Sequence, residues 1–265
     1  MNRTRALLMV LPVILAVNTS CATKAPLDRH DQADTFETYN RAMFKFNYQA
    51  DKYVIKPVAE GYRAVTNEFT RNRVSNVLST IKEPVSAVNH LLQGEPLQMA
   101  ASLGRTVINA TLGLGGMFDV AEGWGLKKQK TGFDETLAKW CVPDGPYLVL
   151  PILGPSTPRA APGLLADSAM NPVYLGTLNA PADVKDKIYY SYTTINGMAY
   201  REATLDLTND LERNSVDYYT TMRSAYMQNR RGMSCSSKEK GETANYDFDF
   251  GYEEEDEIFD EMENQ

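Results

Sequence analysis

The chain has 265 residues, with 27 lysines and arginines, 34 aspartates and glutamates, and a net charge of −7. Residues 233–265 hold twelve acidic residues and two lysines, and residues 1–20 hold two arginines, so the body between them has a net charge of +1. This near-neutral body excludes the basic face that nucleic-acid binding requires. Two histidines are too few for a histidine-based metal site. No stretch after the first 20 residues reaches 18 consecutive apolar residues, so the sequence predicts no transmembrane helix.

The first 20 residues have the form of an export signal that ends at a cysteine. Two arginines open the segment, Ala6–Val17 is an apolar run, and Ser20 precedes Cys21. The run is too short to span a bilayer. We therefore expect residues 1–20 to be a lipoprotein signal peptide and Cys21 to receive a covalent lipid. An ordinary cleaved signal with an incidental cysteine is the alternative, and Ala22 favours sorting of a lipoprotein to the outer membrane.

A polar tether and an amphipathic helix are predicted next. Residues 21–35 contain proline and few apolar side chains, which is typical of a linker. From residue 36, apolar residues recur every three or four positions, which predicts one face of a helix. Thr35 is the expected N-cap, and Pro57 interrupts the apolar pattern. The residues of this face are Phe36, Tyr39, Met43, Phe46 and Ala50.

Two further helices and a glycine-rich turn follow. An apolar stripe runs to Leu92, and the sequence 94–96 predicts a turn before a second helix that starts at Pro96. This second helix should end near Gly113. Residues 113–118 combine glycines with apolar side chains, which is unusual for a surface loop.

A short helix is predicted over 131–141, followed by a segment that is dense in proline and glycine. Proline density in 143–156 excludes a long helix and a central strand. One interpretation is a buried core segment, and the other is an apolar hairpin that faces lipid or lines a cavity. The candidate passage residues are Gly145, Pro146, Tyr147, Leu148, Val149, Leu150, Pro151, Ile152, Leu153 and Gly154.

The C-terminal part divides into a helical region and an acidic tail. Residues 181–231 predict one long helix, or two that join near Gly197 or Asn214. Residues 233–265 are acidic with scattered aromatics, which predicts a disordered tail that either docks on a partner or only improves solubility. Cys141 and Cys235 could pair in an oxidising periplasm, or Cys235 could stay unpaired in this tail.

The sequence contains no recognisable catalytic motif of the hydrolase, metalloprotease or nucleotide-binding type. Three functions remain open at this stage. The chain could be a scaffold that moves lipids, a lipid hydrolase that uses His90 as its base, or a structural lipoprotein that only binds a porin or the cell wall. His90 lies in an apolar helical pattern, which favours a packed or hydrogen-bonded role for it.

Several motifs between residues 35 and 231 occur together in one known family. They cover 40–47, 51–53, 56–59, 83–84, 89–94, 108–113, 116–121 and 145–157. Their characteristic residues are Asn40, Arg41, Phe44, Phe46, Asn47, Pro57, Glu83, Pro84, Asn89, Gln93, Gly94, Asn109, Gly113, Gly116 and Asp119. With these motifs the chain resembles the MlaA/VacJ family of outer-membrane lipoproteins.

The resemblance implies an all-α domain over 36–232, built as a ring of amphipathic helices in one leaflet of the outer membrane. It implies that the chain is not an enzyme but removes mislocalised phospholipids from the outer leaflet. The implied partners are the outer-membrane bilayer, a trimeric porin and a soluble periplasmic phospholipid carrier. No cofactor is implied beyond the lipid on Cys21 and the phospholipid cargo, and the hairpin is expected to gate or line the lipid passage.

Overall fold

The computed structural model describes residues 34–231 and 233. By its contacts the chain divides into segments 1–33 and 34–265, and the described residues all belong to the second. The predicted signal peptide, Cys21, most of the tether and nearly all of the acidic tail therefore lie outside the described residues.

The described part of the chain is mainly helical, which confirms the predicted all-α class. Among the described residues, no helix is long and apolar enough to cross a membrane. The elements are α1 (Glu37–Ala50), a π-helix (Asp51–Ile55), α2 (Lys56–Val65), α3 (Glu68–Leu92), α4 (Pro96–Thr111), α5 (Val120–Gly123), α6 (Phe133–Lys139), β1 (Leu148–Leu150), β2 (Gly154–Ser156), α7 (Ala160–Met170), α8 (Pro172–Gly176), α9 (Ala182–Ala203), α10 (Leu205–Asn214) and α11 (Tyr218–Arg231).

Helix α1 begins one residue later than the sequence suggests, and Thr35 does not cap it. The Asp34 carboxylate accepts hydrogen bonds from the Phe36 backbone N–H (3.1 Å) and the Asn40 side chain (2.8 Å). The predicted cap was therefore wrong: Phe36 is the N-cap residue, no side chain caps the helix, and the Asp34 carbonyl accepts from the Glu37 N–H (3.2 Å). Pro57 lies in the first turn of α2, directly after the π-helix, where its missing N–H is tolerated.

Helices α3 and α4 pack together more extensively than any other pair of elements. Asn67 caps α3 by accepting a bond from the Thr70 N–H (2.8 Å), and Gly94 ends the turn after α3 with a φ of +74°. Pro96 occupies the first turn of α4, as predicted. The pair forms the support on which the glycine-rich turn and the segment before α6 are built.

Strands β1 and β2 form a two-stranded antiparallel hairpin with the register Leu148 to Ser156, Val149 to Pro155 and Leu150 to Gly154. The proline in β2 lies at a sheet edge, where a missing N–H is tolerated. β1 packs on α1 and β2 on α11, so the hairpin is held between the first and last helices of the described chain.

The C-terminal region contains three helices, not one or two. Helix α9 passes through Gly197 without interruption, and the chain breaks at Thr204 and again after Asn214, where a joint was predicted. The Thr204 hydroxyl donates to the Tyr200 carbonyl (3.1 Å) and lies 3.2 Å from the Arg201 carbonyl. Such local hydroxyl bonds compete with the helical backbone pattern and explain the first break.

Candidate functional site

The described residues show an inverted distribution of polarity. Many charged and amide side chains are buried, Arg105 and Glu83 among them, whereas large apolar side chains such as Val65 and Leu97 are 83% and 84% exposed. Buried charges are tolerated only when they are paired and hydrogen-bonded. Large apolar surface of this kind is typical of contact with a membrane or another protein.

The hairpin is anchored to α1 by side-chain amides. Asn40 donates to the Tyr147 carbonyl (3.0 Å) and accepts from the Val149 N–H (2.9 Å). About two turns further along α1, Asn47 contacts the hairpin in the same way. The two asparagines therefore act on β1 as a neighbouring strand would, by pairing with its backbone.

The second of these contacts lies nearer the hairpin tip. Asn47 donates to the Leu150 carbonyl (2.8 Å) and accepts from the Ile152 N–H (2.6 Å). Ile152 has a φ of +66°, a conformation that is uncommon for a branched side chain. Because the surrounding bonds hold this residue, we infer that the tip conformation is fixed by α1.

Both sequence-based interpretations of the hairpin describe part of it. At its base, Tyr147 and Val149 are buried and pack with Tyr219 in a small core. At its tip, Ile152 and Leu153 are 71% and 62% exposed. The base is therefore a core segment, whereas the tip presents apolar side chains outward.

A cluster of two arginines and two aspartates holds the base of the hairpin to α6 and α11. Arg230 contacts Asp134 (2.7 Å) and Asp144 (2.5 Å), and Arg159 contacts Asp134 (2.8 Å). Burial would raise the pKa of the Asp134 carboxyl, but the hydrogen bonds from Arg230 and Arg159 outweigh burial and lower that pKa. Thus Asp134 and Asp144, expected only as turn and cap residues, are ion-pair partners.

A second buried cluster shapes the glycine-rich turn. Arg105 on α4 contacts Glu83 on α3 (2.8 Å) and Asp119 (2.6 Å), and it also bonds the Leu126 carbonyl. Asp119 caps α5 by accepting from the Glu122 N–H (3.1 Å). Burial opposes ionisation of Asp119, but hydrogen bonds from Asn109 and Arg105 prevail and lower its pKa.

Two glycines of this turn are required by close packing. A Cβ at Gly113 would lie 2.3 Å from the Phe118 carbonyl oxygen, and one at Gly116 would lie 2.7 Å from the Thr80 hydroxyl. Gly116 also has a φ of +89°, which disfavours other residues. The turn is therefore a fixed support, and its exposed side chains are Leu112, Leu114, Met117 and Phe118.

A third network joins α3, α6 and α7. Asn89 donates to the Asp167 carboxylate (3.0 Å) and accepts from the Thr136 hydroxyl (2.9 Å), while Gln93 donates to the same hydroxyl (2.9 Å). Burial raises the pKa of Asp167 to about 6, although bonds from Asn89 and the Phe133 N–H oppose that shift. Here too, motif residues satisfy buried polar groups.

The other motif residues have separate positions. Arg41 contacts Glu37 (2.7 Å) and Asp217 (2.8 Å) near the surface, and Phe44 packs edge-on against tyrosines of α11. Phe46 is exposed, and Pro84 lies inside α3. The motif residues are therefore not gathered at one point, but the clusters described above hold most of them to the hairpin, the turn or the helix junctions.

His90 is engaged on both ring nitrogens. Its Nδ1 lies 3.0 Å from the Glu95 carboxylate, and its Nε2 lies 3.4 Å from the Gln129 carbonyl. A hydrolytic base would instead need a free nitrogen directed at a nucleophile. The observed contacts describe a structural role for His90.

Sequence reasoning missed the arginines that organise these clusters. Arg105 shares a buried polar face of α4 with Ser102 and Asn109, at spacings of three and four residues, and this spacing was the signal that could have identified it. Its partner Glu83 was recognised only as a motif residue. Cys141 is disulfide-bonded, with its partner outside the described residues, so the pairing with Cys235 stays a prediction.

The chain is similar in sequence and in structure to proteins of one family. The family profile described as MlaA lipoprotein matches residues 32–233. An uncharacterised protein of Rickettsia typhi is 35% identical, and the match covers 74% of this chain and 76% of that protein. The intermembrane phospholipid transport system lipoprotein MlaA of Escherichia coli is 36% identical, and the match covers 78% of this chain and 80% of that protein. A solved structure described as the structural basis for maintenance of bacterial outer membrane lipid asymmetry is 34% identical, with a TM-score of 0.64, and covers 76% of this chain and 99% of its own.

Removing Asn40 should cost more stability than removing Asn47. Asn40→Ala leaves a buried carbonyl and a buried N–H unpaired, which should lower the free energy of unfolding by about 2–4 kcal/mol. The hydrogen bonds of Asn47 are less buried than those of Asn40, so Asn47→Ala should cost roughly 1 kcal/mol. Denaturant unfolding in detergent measures both, with the exposed Asn179→Ala as control. Equal losses in the two variants would contradict this account of the hairpin.

Arg105→Met should be strongly destabilising, because it leaves the Glu83 and Asp119 carboxylates without their cation. We expect a loss of about 3–5 kcal/mol in the free energy of unfolding. The exposed Arg213→Met is the matched control and should change it by less than about 0.5 kcal/mol. Adding Glu83→Gln to Arg105→Met should recover part of the loss. An effect of Arg105→Met that is no larger than that of the control would refute the role assigned to this cluster.

Proposed function

Since the chain belongs to the MlaA lipoprotein family, we propose that it serves intermembrane phospholipid transport and thereby maintains the lipid asymmetry of the outer membrane. It acts as an outer-membrane lipoprotein. In the specific form of the proposal, the chain removes phospholipids that are misplaced in the outer leaflet and passes them to a soluble periplasmic carrier. A trimeric porin and that carrier are the partners that the family resemblance implies.

The inverted distribution of polarity is the observation that supports this function best. Each fully buried Leu, Val or Phe contributes roughly 1.5–3 kcal/mol, so a few outward side chains are enough to hold the body in the apolar phase of a bilayer. The exposed apolar residues of α3 and α4 include Val88, Leu91 and Val107. We propose that the amphipathic helices lie in the periplasmic leaflet, with the paired charges inside the protein.

The hairpin tip is proposed to contact the acyl chains of the transported lipid. Irregular backbone is tolerated at membrane depth only where protein or a cavity surrounds it, and the α1 asparagines supply the required backbone partners. Ile152 and Leu153 then offer an apolar surface at a fixed position. A moving lipid needs such a surface for its tails, and no covalent bond has to be made or broken.

The function predicts a defined membrane defect. A strain that lacks this chain should accumulate phospholipids in the outer leaflet, measured by access of an external phospholipase. The variant Ile152→Asp/Leu153→Asp should reproduce the defect while folded protein remains at the membrane, because two charges at the tip oppose contact with acyl chains.

The matched control is Gln49→Asp, an exposed polar position on α1 that should leave the lipid distribution normal. A deletion strain with the normal outer-leaflet content would disprove the function. Normal content with the double tip variant would disprove only the role of the hairpin.

Lipidation of Cys21 is a separate proposal, supported by the basic start, the apolar run and the Ser20–Cys21 junction. Cys21→Ala should lose labelling by a palmitate analogue, measured in cells by in-gel fluorescence. The body should still sediment with membranes, because its exposed apolar side chains hold it there. Persistent labelling of Cys21→Ala would contradict the proposed anchor.

A further inference from the structure

An irregular segment, residues 126–131, runs from the end of α5 along α3 to the start of α6. Thr131 is bonded to the Ser86 hydroxyl through both its N–H (3.4 Å) and its carbonyl (3.2 Å). The Gln129 carbonyl lies 3.4 Å from His90. The segment is therefore fixed to one face of α3 by contacts at its C-terminal half.

These contacts bring three lysines together. Lys82 precedes Ser86 by one helical turn and shares its face of α3, next to the segment. Lys128 and Lys130 are two residues apart, so they share one side of an extended chain. The electrostatic interactions of Lys130 with both Lys82 and Lys128 agree with this placement.

The three ammonium groups have no counter-ion among the described residues. The neighbouring carboxylates are those of Glu83 and Asp119, and Arg105 pairs with both, at 2.8 and 2.6 Å. Lys139, in contrast, forms an ion pair with Glu95, and Lys56 donates to Asn209 (2.6 Å). The lysine cluster is thus a local excess of positive charge.

Two of the three lysines are desolvated by the surrounding protein. Lys82 and Lys130 are exposed and Lys128 is half-buried. The surrounding protein nevertheless lowers the pKa of Lys82 and of Lys128, and the charge of Lys130 lowers both further. A bound anion would offset both the desolvation and the mutual repulsion.

We propose that Lys82, Lys128 and Lys130 bind the phosphate group of a phospholipid headgroup. The proposal rests on the proposed function, because it assigns one end of the transported lipid to a place on this chain. The exposed Trp124 precedes the segment by two residues, and the Leu126 side chain within the segment lies beside Gly104 of α4. A phosphate at the lysines would leave the acyl chains next to this apolar surface.

The test uses the full chain in a nonionic detergent and two probes, monomeric dihexanoyl-phosphatidylglycerol and inorganic phosphate, in titration calorimetry. The variant K82Q/K128Q/K130Q should bind the lipid roughly a hundredfold more weakly, since each lysine near an anionic headgroup contributes on the order of 1 kcal/mol. The matched variant K45Q/K52Q/K187Q removes the same charge at exposed positions outside the segment and should bind as the wild type does.

Three results would overturn the proposal. They are wild-type affinity in the cluster variant, an equal loss in the matched variant, and binding of inorganic phosphate as tight as that of the lipid, which would assign the site to a free anion. The charge-preserving K82R/K128R/K130R should keep affinity within about threefold, and its failure to do so would also contradict the assignment. If the triple glutamine variant unfolds, K82Q and K130Q singly provide the same comparison, with an expected loss of roughly fivefold each.

Failure of this inference is distinguishable from failure of the proposed function. If the site is wrong, the cluster variant binds lipid normally while the deletion strain still accumulates phospholipid in the outer leaflet. If the function is wrong, the deletion strain itself shows the normal lipid distribution, whatever the calorimetry gives.

Discussion

The pairing of buried arginines with carboxylates is the interaction on which the rest of the structure depends. Arg105 joins α3, α4 and the start of α5 through Glu83 and Asp119, and Arg230 joins α11 to the base of the hairpin. In a water-soluble domain, apolar side chains would perform this joining. Among the residues that the structure describes, the largest fully buried side chain is that of Arg105, and many large apolar residues face outward. In an apolar solvent, directional polar bonds hold helices together, because lipid competes for apolar contacts but not for hydrogen bonds.

The same constraint explains why so many motif residues are amides, prolines and glycines. Asn40 and Asn47 satisfy the backbone of the hairpin, Asn109 and Asp119 accept from backbone N–H groups of α5, and Asn89 links three helices. Each of these side chains replaces a backbone or water partner that an irregular segment would otherwise lack. Irregular backbone is thereby held in one place, and the contacts of these side chains position it.

Periodicity, proline positions and turn signals predicted the helices around Pro96 and over 131–141, the hairpin and the joint after Asn214. These patterns could not predict whether an apolar helix face packs inside the protein or lies on its surface. Phe46 belongs to the predicted stripe of α1, yet it is exposed. The break at Thr204 and the cap by Asp34 depend on single local hydrogen bonds, which propensities do not resolve. The pairing of Arg230 with Asp134 joins residues 96 positions apart, so no local pattern encodes it.

The asparagine contacts have a consequence for the time before the protein reaches its membrane. A short apolar strand with a free edge is a template for pairing with other chains, and thus a starting point for aggregation in the periplasm. The α1 amides occupy the outer edge of β1, and α11 packs against β2. Once α1 and the hairpin have met, β1 offers no open edge to a second copy. The contacts that position the hairpin thereby also protect the chain against self-association.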